Sequence, residues 1–559
     1  MVCHSIFNDV LGPVMAGPSS SHSAGCARIG KLTQILWGKE IKKAVVVYDS
    51  QGSYPSTCVG QGSNFGFTGG LLGFVNGDPR MKDSIAIAKE MGVDISFAEE
   101  KLSARHPNEA RIDVYGDSGD VEMSVLTLSV GGGMFEIVEL DGYPVYMDGS
   151  REQIFVRCEI EVAEKVESLL AKIAGKVTRC GKLVEIFQYR PDNERDRSVV
   201  ICAEELRSGD SIGTAVRGEV GSGAASGEAH GGYGMVQVIA ELEAMPGVRY
   251  VRKAEVVLPI PMKENCEAVF ETAAEALQYA GDKPMWQLAI EYECSLGEVT
   301  TEDVWQQAAH TLQVMRNAAM APDPNQTEVF GFLPYQCTDM KERAKSVQTV
   351  NTGYLDKAMF YAIAVMENSC AHNIVTAAPT AGASGVVPAA VVAVGEEMGC
   401  SDEEIIHGLL AAGLAGAFIA NQATFGAEVA GCQAENGAAS AMAAAGVVEL
   451  LGGTPAQGFA AASMALQNML GLICDPVGGV TEIPCISRNV AAMSNAVMSA
   501  NMTMLGFDPK IPYDETIKCM YEVGQMLPSE LQCTCGGGLC TTPTGVCIAR
   551  GMRAIELIK

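Results

Sequence analysis

Three cysteines, Cys432, Cys474 and Cys485, stand 42 and 11 residues apart in the final third of the chain. Gly431 precedes the first, Pro484 precedes the third, and Asp475-Pro476 after the second reads as a turn. Thiols on backbone punctuated in this way can converge on one point. Three thiolates suit an iron–sulfur cluster that keeps one iron without a protein ligand. Such an iron is a Lewis acid able to take up a substrate hydroxyl. Three buried cysteines acting as small hydrophobes have the same spacing, and no CxxC signature separates the two readings.

Two other stretches have residue types that could do chemistry. Ser19-Ser20-Ser21-His22-Ser23 precedes a small-residue helix start at Ala24–Gly30. Backbone N–H groups at a helix start attract anions and hydroxyls add donors; an ordinary serine-rich N-cap loop reads the same. Cys533, Cys535 and Cys540 lie just before the last helix. A second metal site is one reading there, although the spacing fits no standard zinc pattern.

With these residues in hand, the sequence resembles the iron–sulfur-dependent L-serine dehydratases, with that family's small and large parts fused in one chain. The matching text is Ala378-Pro379-Thr380-Ala381-Gly382, GCQAE from Gly431, MAAAGVVELLGGTP from Met442, NMLGLICDPVGG from Asn468, and IPCISRN from Ile483. At the other end, Gly12-Pro13-Val14-Met15 through Gly17-Pro18-Ser19 to Gly25 resembles the small-part signature. The resemblance implies a [4Fe–4S] cluster on Cys432, Cys474 and Cys485, with one iron lacking a protein ligand. It implies that Ser19, Ser20, Ser21 and Ser23 take the substrate carboxylate. It also sets Thr380, Ala381, Gly382, Glu435, Arg488 and Asn489 around substrate and cluster. The activity implied is β-elimination of a small β-hydroxy amino acid, by default L-serine to pyruvate and ammonia, in a homodimer.

The sequence departs from the family at three places. The family's Gly-His-x-Thr-Asp element reads here as Gly60-Gln61-Gly62-Ser63-Asn64. Gln61, Ser63 and Asn64 thus hold the catalytic positions, and glutamine hydrogen-bonds without exchanging a proton near neutral pH. His22 and His372 remain as candidate bases. The family's Gly-Leu-Thr-Gly-Gly-Asp loop has no clear match at Phe330–Cys337, and Gln532-Cys533-Thr534 replaces Arg-Glu-Thr. All three changes fall on substrate-side segments. Three readings therefore stay open beside serine: a β-thiol amino acid such as cysteine, another hydroxy acid, or a catalytically silent, cluster-bearing amino-acid sensor.

Composition sets the frame that must position these residues. The 559 residues suffice for several domains. A net charge of −28 argues against nucleic acid or an anionic membrane as partner. Nineteen cysteines and a start, Met1-Val2-Cys3-His4, that lacks a basic, apolar leader point to a reducing cytoplasm. The longest uncharged run, near 375–395, is interrupted by prolines and hydroxyls and does not read as a membrane span.

The fold expected is α+β and multidomain. An N-terminal α/β domain covers 1–150, with strands at Lys43–Tyr48 and Glu122–Val130. A ferredoxin-like, ACT-like domain covers 151–260. Its strands fall at Ile154–Ile160, Leu183–Tyr189, Val199–Ala203 and Val248–Leu258, with helices at Glu164–Ile173 and Met235–Ala244. A glycine-rich insertion interrupts it at Ser208–Gly234. A mostly helical domain covers 261–559, and its Ala- and Gly-rich body between Ala411 and Ala465 lets helices approach closely.

Overall fold

The computed structural model describes residues 3–103, 105–180, 198–206, 235–263, 267–320 and 332–556. Its N-terminal region is built on a six-stranded sheet. The strand order is Asp94–Glu100, Lys43–Asp49, Glu109–Tyr115, Val121–Gly131, Met134–Leu140 and Tyr143–Met147. The first pair is parallel and the rest antiparallel. The sheet is thus mixed rather than of the parallel α/β kind. Alternate residues of the central strands, such as Ile112, Val114, Met123 and Val125, point into one core with Ile29, Leu32 and Phe67.

Those last residues lie on helices Gly25–Trp37 and Ser63–Leu71, which cross where two glycines meet. A Cβ on Gly70 would stand 2.2 Å from the Ala27 carbonyl oxygen, and one on Gly30 would stand 2.8 Å from that of Phe67. Only bare backbone permits this approach. The crossing brings the starts of both helices together, and with them the Ser19–Ser23 and Gln61 segments.

The middle unit runs β-α-β-β-α-β: Gln153–Glu159, Ala163–Leu170, Ala174–Cys180, Ser198–Leu206, Met235–Glu243 and Val248–Ala254. The fourth strand pairs with the first, the first with the third, and the third with the second, all antiparallel. This is the ferredoxin-like arrangement. The second strand is Ala174–Cys180, earlier than the run Leu183–Tyr189, which lies outside the described residues, as does all of Ser208–Gly234. The unit is not a loose appendage. Both helices cover one face of its sheet, while Phe155, Val200, Cys202 and Ala254 on the other face join the N-terminal core. Arg252 seals the junction by donating to the Leu36 carbonyl at 3.2 Å.

The C-terminal half is a helical body around Asp402–Gln422, flanked by Met285–Leu296 and Ala438–Leu450. Ala438–Leu450 packs in turn on Pro455–Gln467 and Cys485–Met504. Alanine and glycine dominate these contacts, which lets backbones come close and makes helices apolar all round, as fully buried helices are. Asp402–Gln422 is the one described helix long and apolar enough to cross a membrane, and it is enclosed by the others.

Two ties cross between the halves. Residues 6–11 leave the sheet region: Ile6, Phe7, Val10 and Leu11 are buried in the helical core. Buried Glu293 accepts from the Ser5 hydroxyl and, at 2.7 Å, from the Ile6 amide. Strand Val14–Ala16 then pairs antiparallel with Ile374–Thr376. The serine loop that follows is thereby delivered to the helical body.

Candidate functional site

The three cysteines reach one region from three elements. Cys432 opens the helical turn Gln433–Gly437, and Cys485 begins the helix Cys485–Met504. Cys474 lies in the intervening loop, bridged to Gln532. Their exposures are 1%, 5% and 7%, and none is in a disulfide. Burial and Glu435 push the Cys432 thiol up to about 11. A hydrogen bond with Cys533, burial and Cys432 all raise Cys474. Burial and Cys432 raise Cys485. Cys474 and Cys485 thus both feel the charge of Cys432.

The surrounding groups favour sulfur anions. Asn436 Nδ2 donates to Cys432 Sγ at 3.1 Å. Arg488 donates to the Ile473 carbonyl at 3.0 Å and pairs with Asp475 at 2.9 Å, which fastens the Cys474 loop to the Cys485 helix. Among the described residues no three His, Cys, Asp or Glu side chains close on a single-ion position. Three thiolates, one per iron, are a ligand set that an iron–sulfur cluster takes.

The turn Ala381–Ala383 faces the cysteines. Asn489, one helical turn after Cys485, donates to the Gly382 carbonyl at 2.8 Å and to the Cys485 carbonyl at 2.9 Å, and accepts from the Gly385 amide at 3.0 Å. Glu435 lies against this turn, so closely that a Cβ on Gly382 would stand 3.2 Å from its Oε1. Burial, then Glu428, push the Glu435 carboxyl up to about 7. Thr380 hydrogen-bonds the Glu435 carboxyl, and the Thr376 hydroxyl is buried with no hydrogen-bond partner among the described residues. A buried polar atom in that state is costly unless something else satisfies it, and a polar ligand would.

The serine loop is divided in its duties. The Ser23 hydroxyl donates to the carbonyls of Ala16 (2.8 Å) and Ser19 (2.7 Å) and is spent on backbone. Ser19 caps the turn Ser20–Ala24, accepting from the His22 amide at 3.2 Å. Ser21 donates to Glu428 Oε1 at 2.9 Å and lies 3.0 Å from His22 Nδ1. His22 Nε2 faces the Ser53 hydroxyl at 3.2 Å. Burial pushes His22 down to about 4 against the pull of Glu428, so the ring is neutral at pH 7. Both its nitrogens are engaged and it is fully buried; it braces the loop. Ser20 and Ser21 begin the turn, where amides are turned outward.

Gln61, Ser63 and Asn64 separate. Gln61 Nε2 points at Cys533 Sγ, 3.7 Å away, and so at the cysteine region. The Ser63 hydroxyl lies 3.2 Å from Tyr48 OH, and Asn64 Oδ1 accepts from the Phe65 amide at 2.8 Å, so both serve the local fold. His372 lies tilted against Phe65 with ring centroids 4.8 Å apart, and burial and Lys82 push it down to about 4. Of the unmatched loop, Phe330 and Gly331 lie outside the described residues, while the amides of Phe332 and Leu333 donate to Glu482 at 2.8 and 2.9 Å.

Sequence reasoning missed Glu428, Ser53, Asn108 and the placement of Cys533. Glu428 accepts from Asn108 Nδ2 at 3.4 Å as well as from Ser21, and it raises both Glu435 and Cys533. It joins the serine loop to the cysteines. Its one signal was a lone carboxylate in Gly426-Ala427-Glu428-Val429-Ala430, four residues before Cys432.

Comparison with known proteins agrees with this geometry. A family model described as serine dehydratase alpha chain matches residues 271–540. The L-serine dehydratase alpha chain of Peptoniphilus asaccharolyticus is 35% identical over 289 residues, 50% of this chain and 98% of its own. A probable L-serine dehydratase alpha chain of Bacillus subtilis (strain 168) is 38% identical over 50% of this chain and 93% of its own. This chain belongs to the L-serine dehydratase family. A probable beta chain of the same Bacillus subtilis strain is also similar, 41% identical over 28% of this chain and 69% of its own. Parts that are separate alpha and beta chains in that organism are thus joined here in one family member.

Proposed function

We propose that the protein is an iron–sulfur-dependent lyase that eliminates water from L-serine, releasing pyruvate and ammonia. The observation that carries this reading is the meeting of three buried thiols with Glu435, the orphaned hydroxyl of Thr376, and the start of the Ser20–Ala24 turn. Cys432, Cys474 and Cys485 would hold a [4Fe–4S] cluster. When bound, that group supplies a Lewis-acid iron that stabilises the departing hydroxide.

The chain's own residues do the rest. The amides of Ser20 and Ser21 and the hydroxyl of Ser20 take the carboxylate, since helix starts favour anions. Thr376 donates to a substrate polar atom and so loses its unpaired state, while Thr380 holds the Glu435 carboxyl. Glu435, held against Gly382, accepts the proton from Cα; at about 7 its carboxyl suits proton transfer near neutral pH. Gln61 Nε2 donates a hydrogen bond without exchanging a proton. Burial under the Ala- and Gly-rich helices excludes water until the product enamine leaves, tautomerises and hydrolyses.

A screen of L-serine, L-threonine, L-cysteine and D-serine on anaerobically reconstituted full-length protein tests the substrate. Keto-acid release fastest with L-serine is expected. Faster release with L-cysteine would move the assignment to a β-thiol amino acid, and no release with any of the four would favour the silent sensor.

A further inference from the structure

The tail from Cys533 to Cys540 wraps the loop that carries Cys474. The Cys474 amide donates to the Leu531 carbonyl at 2.9 Å and the Cys533 amide donates to the Cys474 carbonyl at 3.0 Å. The Leu539 amide donates to Asp475 Oδ2 at 2.8 Å. Two thiols of this tail are outside the site described above. The Cys535 and Cys540 thiols hydrogen-bond to each other, and both lie on one oxygen, the Pro476 carbonyl, at 3.5 and 3.1 Å. Cys535 is partly open to solvent and Cys540 is buried. Cys535 also holds left-handed backbone, φ 57°, a strain that glycine would avoid. Strain of this kind at a residue with reactive chemistry points to use rather than packing.

We propose that Cys535 and Cys540 form a reversible oxidation site, closed into a disulfide by small-molecule disulfides, that fastens the tail across the Cys474 loop. The step is thiol–disulfide exchange. The accessible Cys535 thiolate attacks one sulfur of the small disulfide and opens its S–S bond. Cys540 then attacks the Cys535 sulfur and expels the second thiolate. Two cysteine S–H bonds are lost, one S–S bond forms, and the two electrons and two protons end on the small molecule as a dithiol. The arrangement is independent of which substrate the enzyme takes.

The probe is oxidised dithiothreitol, a cyclic disulfide. It closes again on any lone thiol and so leaves oxidised only cysteines that have a partner. Anaerobically purified full-length protein is equilibrated with it, free thiols are blocked, and the protein is reduced and relabelled for fragmentation mass spectrometry. We expect second-label occupancy at Cys535 and Cys540 to exceed that at exposed Cys547 at least tenfold. Hydrogen exchange at the Cys474 and Cys533 amides should slow at least threefold. Cys535→Ser and, separately, Cys540→Ser should each abolish the label at the remaining partner. Equal labelling at all three cysteines, or a label that persists at Cys540 in Cys535→Ser, would overturn the pairing. A link formed with unchanged exchange at Cys474 and Cys533 would overturn the fastening.

Discussion

Ser20 and Ser21 are adjacent in sequence but differ in what they hold, and that difference is testable. Ser21 donates to Glu428 and meets His22, so Ser21→Ala strips a donor from a buried carboxylate. A loss of about 1–3 kcal/mol in unfolding free energy is expected. Ser20→Ala should leave stability unchanged and raise KM for the carboxylated substrate; denaturant unfolding and steady-state kinetics separate the two. His22 gives a pH test. Its folded pKa, about 4, is below the ordinary 6.5, so the unfolded chain binds the extra proton between those values. The stability contributed by neutral His22 is full above about pH 6.5 and is lost as pH falls toward 4. His22→Asn should lose less stability than the parent between pH 7 and 5, measured by denaturant midpoints. The residues legible in sequence were those with rare chemistry in a fixed motif: Cys432, Cys474, Cys485, Glu435, Arg488 and Asn489. Glu428 was not legible, because one carboxylate on a short helix carries no periodic signal. The division of labour among the serines was equally hidden, because hydroxyl rotamers depend on neighbours hundreds of residues away.

At the scale of elements, the site depends on the turn Ala381–Ala383 being held between Glu435 and the Cys485 helix. Asn489 makes three hydrogen bonds that fix this register. Gly382 lets Glu435 lie close. A methyl group there would stand 3.2 Å from Oε1, tighter than a comfortable contact. Gly382→Ala should therefore shift the carboxylate and lower kcat by at least about tenfold, as small misplacements in a catalytic constellation do. Iron content should remain at the parent level, because no cysteine moves. Periodicity located the strands and helices of the ferredoxin-like unit well, since each buries one face. It missed the strand Ala174–Cys180, which exposes most of its residues and alternates weakly. The pairing of Val14–Ala16 with Ile374–Thr376 could not be read at all, since three-residue strands leave no pattern.

At the scale of the whole molecule, the two halves are joined by segments that sequence order would assign to one of them. Ile6, Phe7, Val10 and Leu11 precede the sheet region yet lie in the helical core. Burying such side chains contributes about 1.5–3 kcal/mol each. Deleting residues 1–11 should destabilise the helical body first. Hydrogen exchange would then quicken in Asp402–Gln422 before it does in Val121–Gly131. Equal quickening in both would contradict the tie. The central claim is that Cys432, Cys474 and Cys485 together hold a cluster that serves elimination from serine. The most direct measurement is iron content and visible absorbance of anaerobically reconstituted parent and Cys485→Ser proteins, taken with pyruvate release from L-serine in the same samples. The account predicts about four irons per chain in the parent, strongly reduced iron and absorbance in Cys485→Ser, and pyruvate release that falls in step with iron. Full iron in Cys485→Ser, or pyruvate release that persists undiminished without iron, would contradict it.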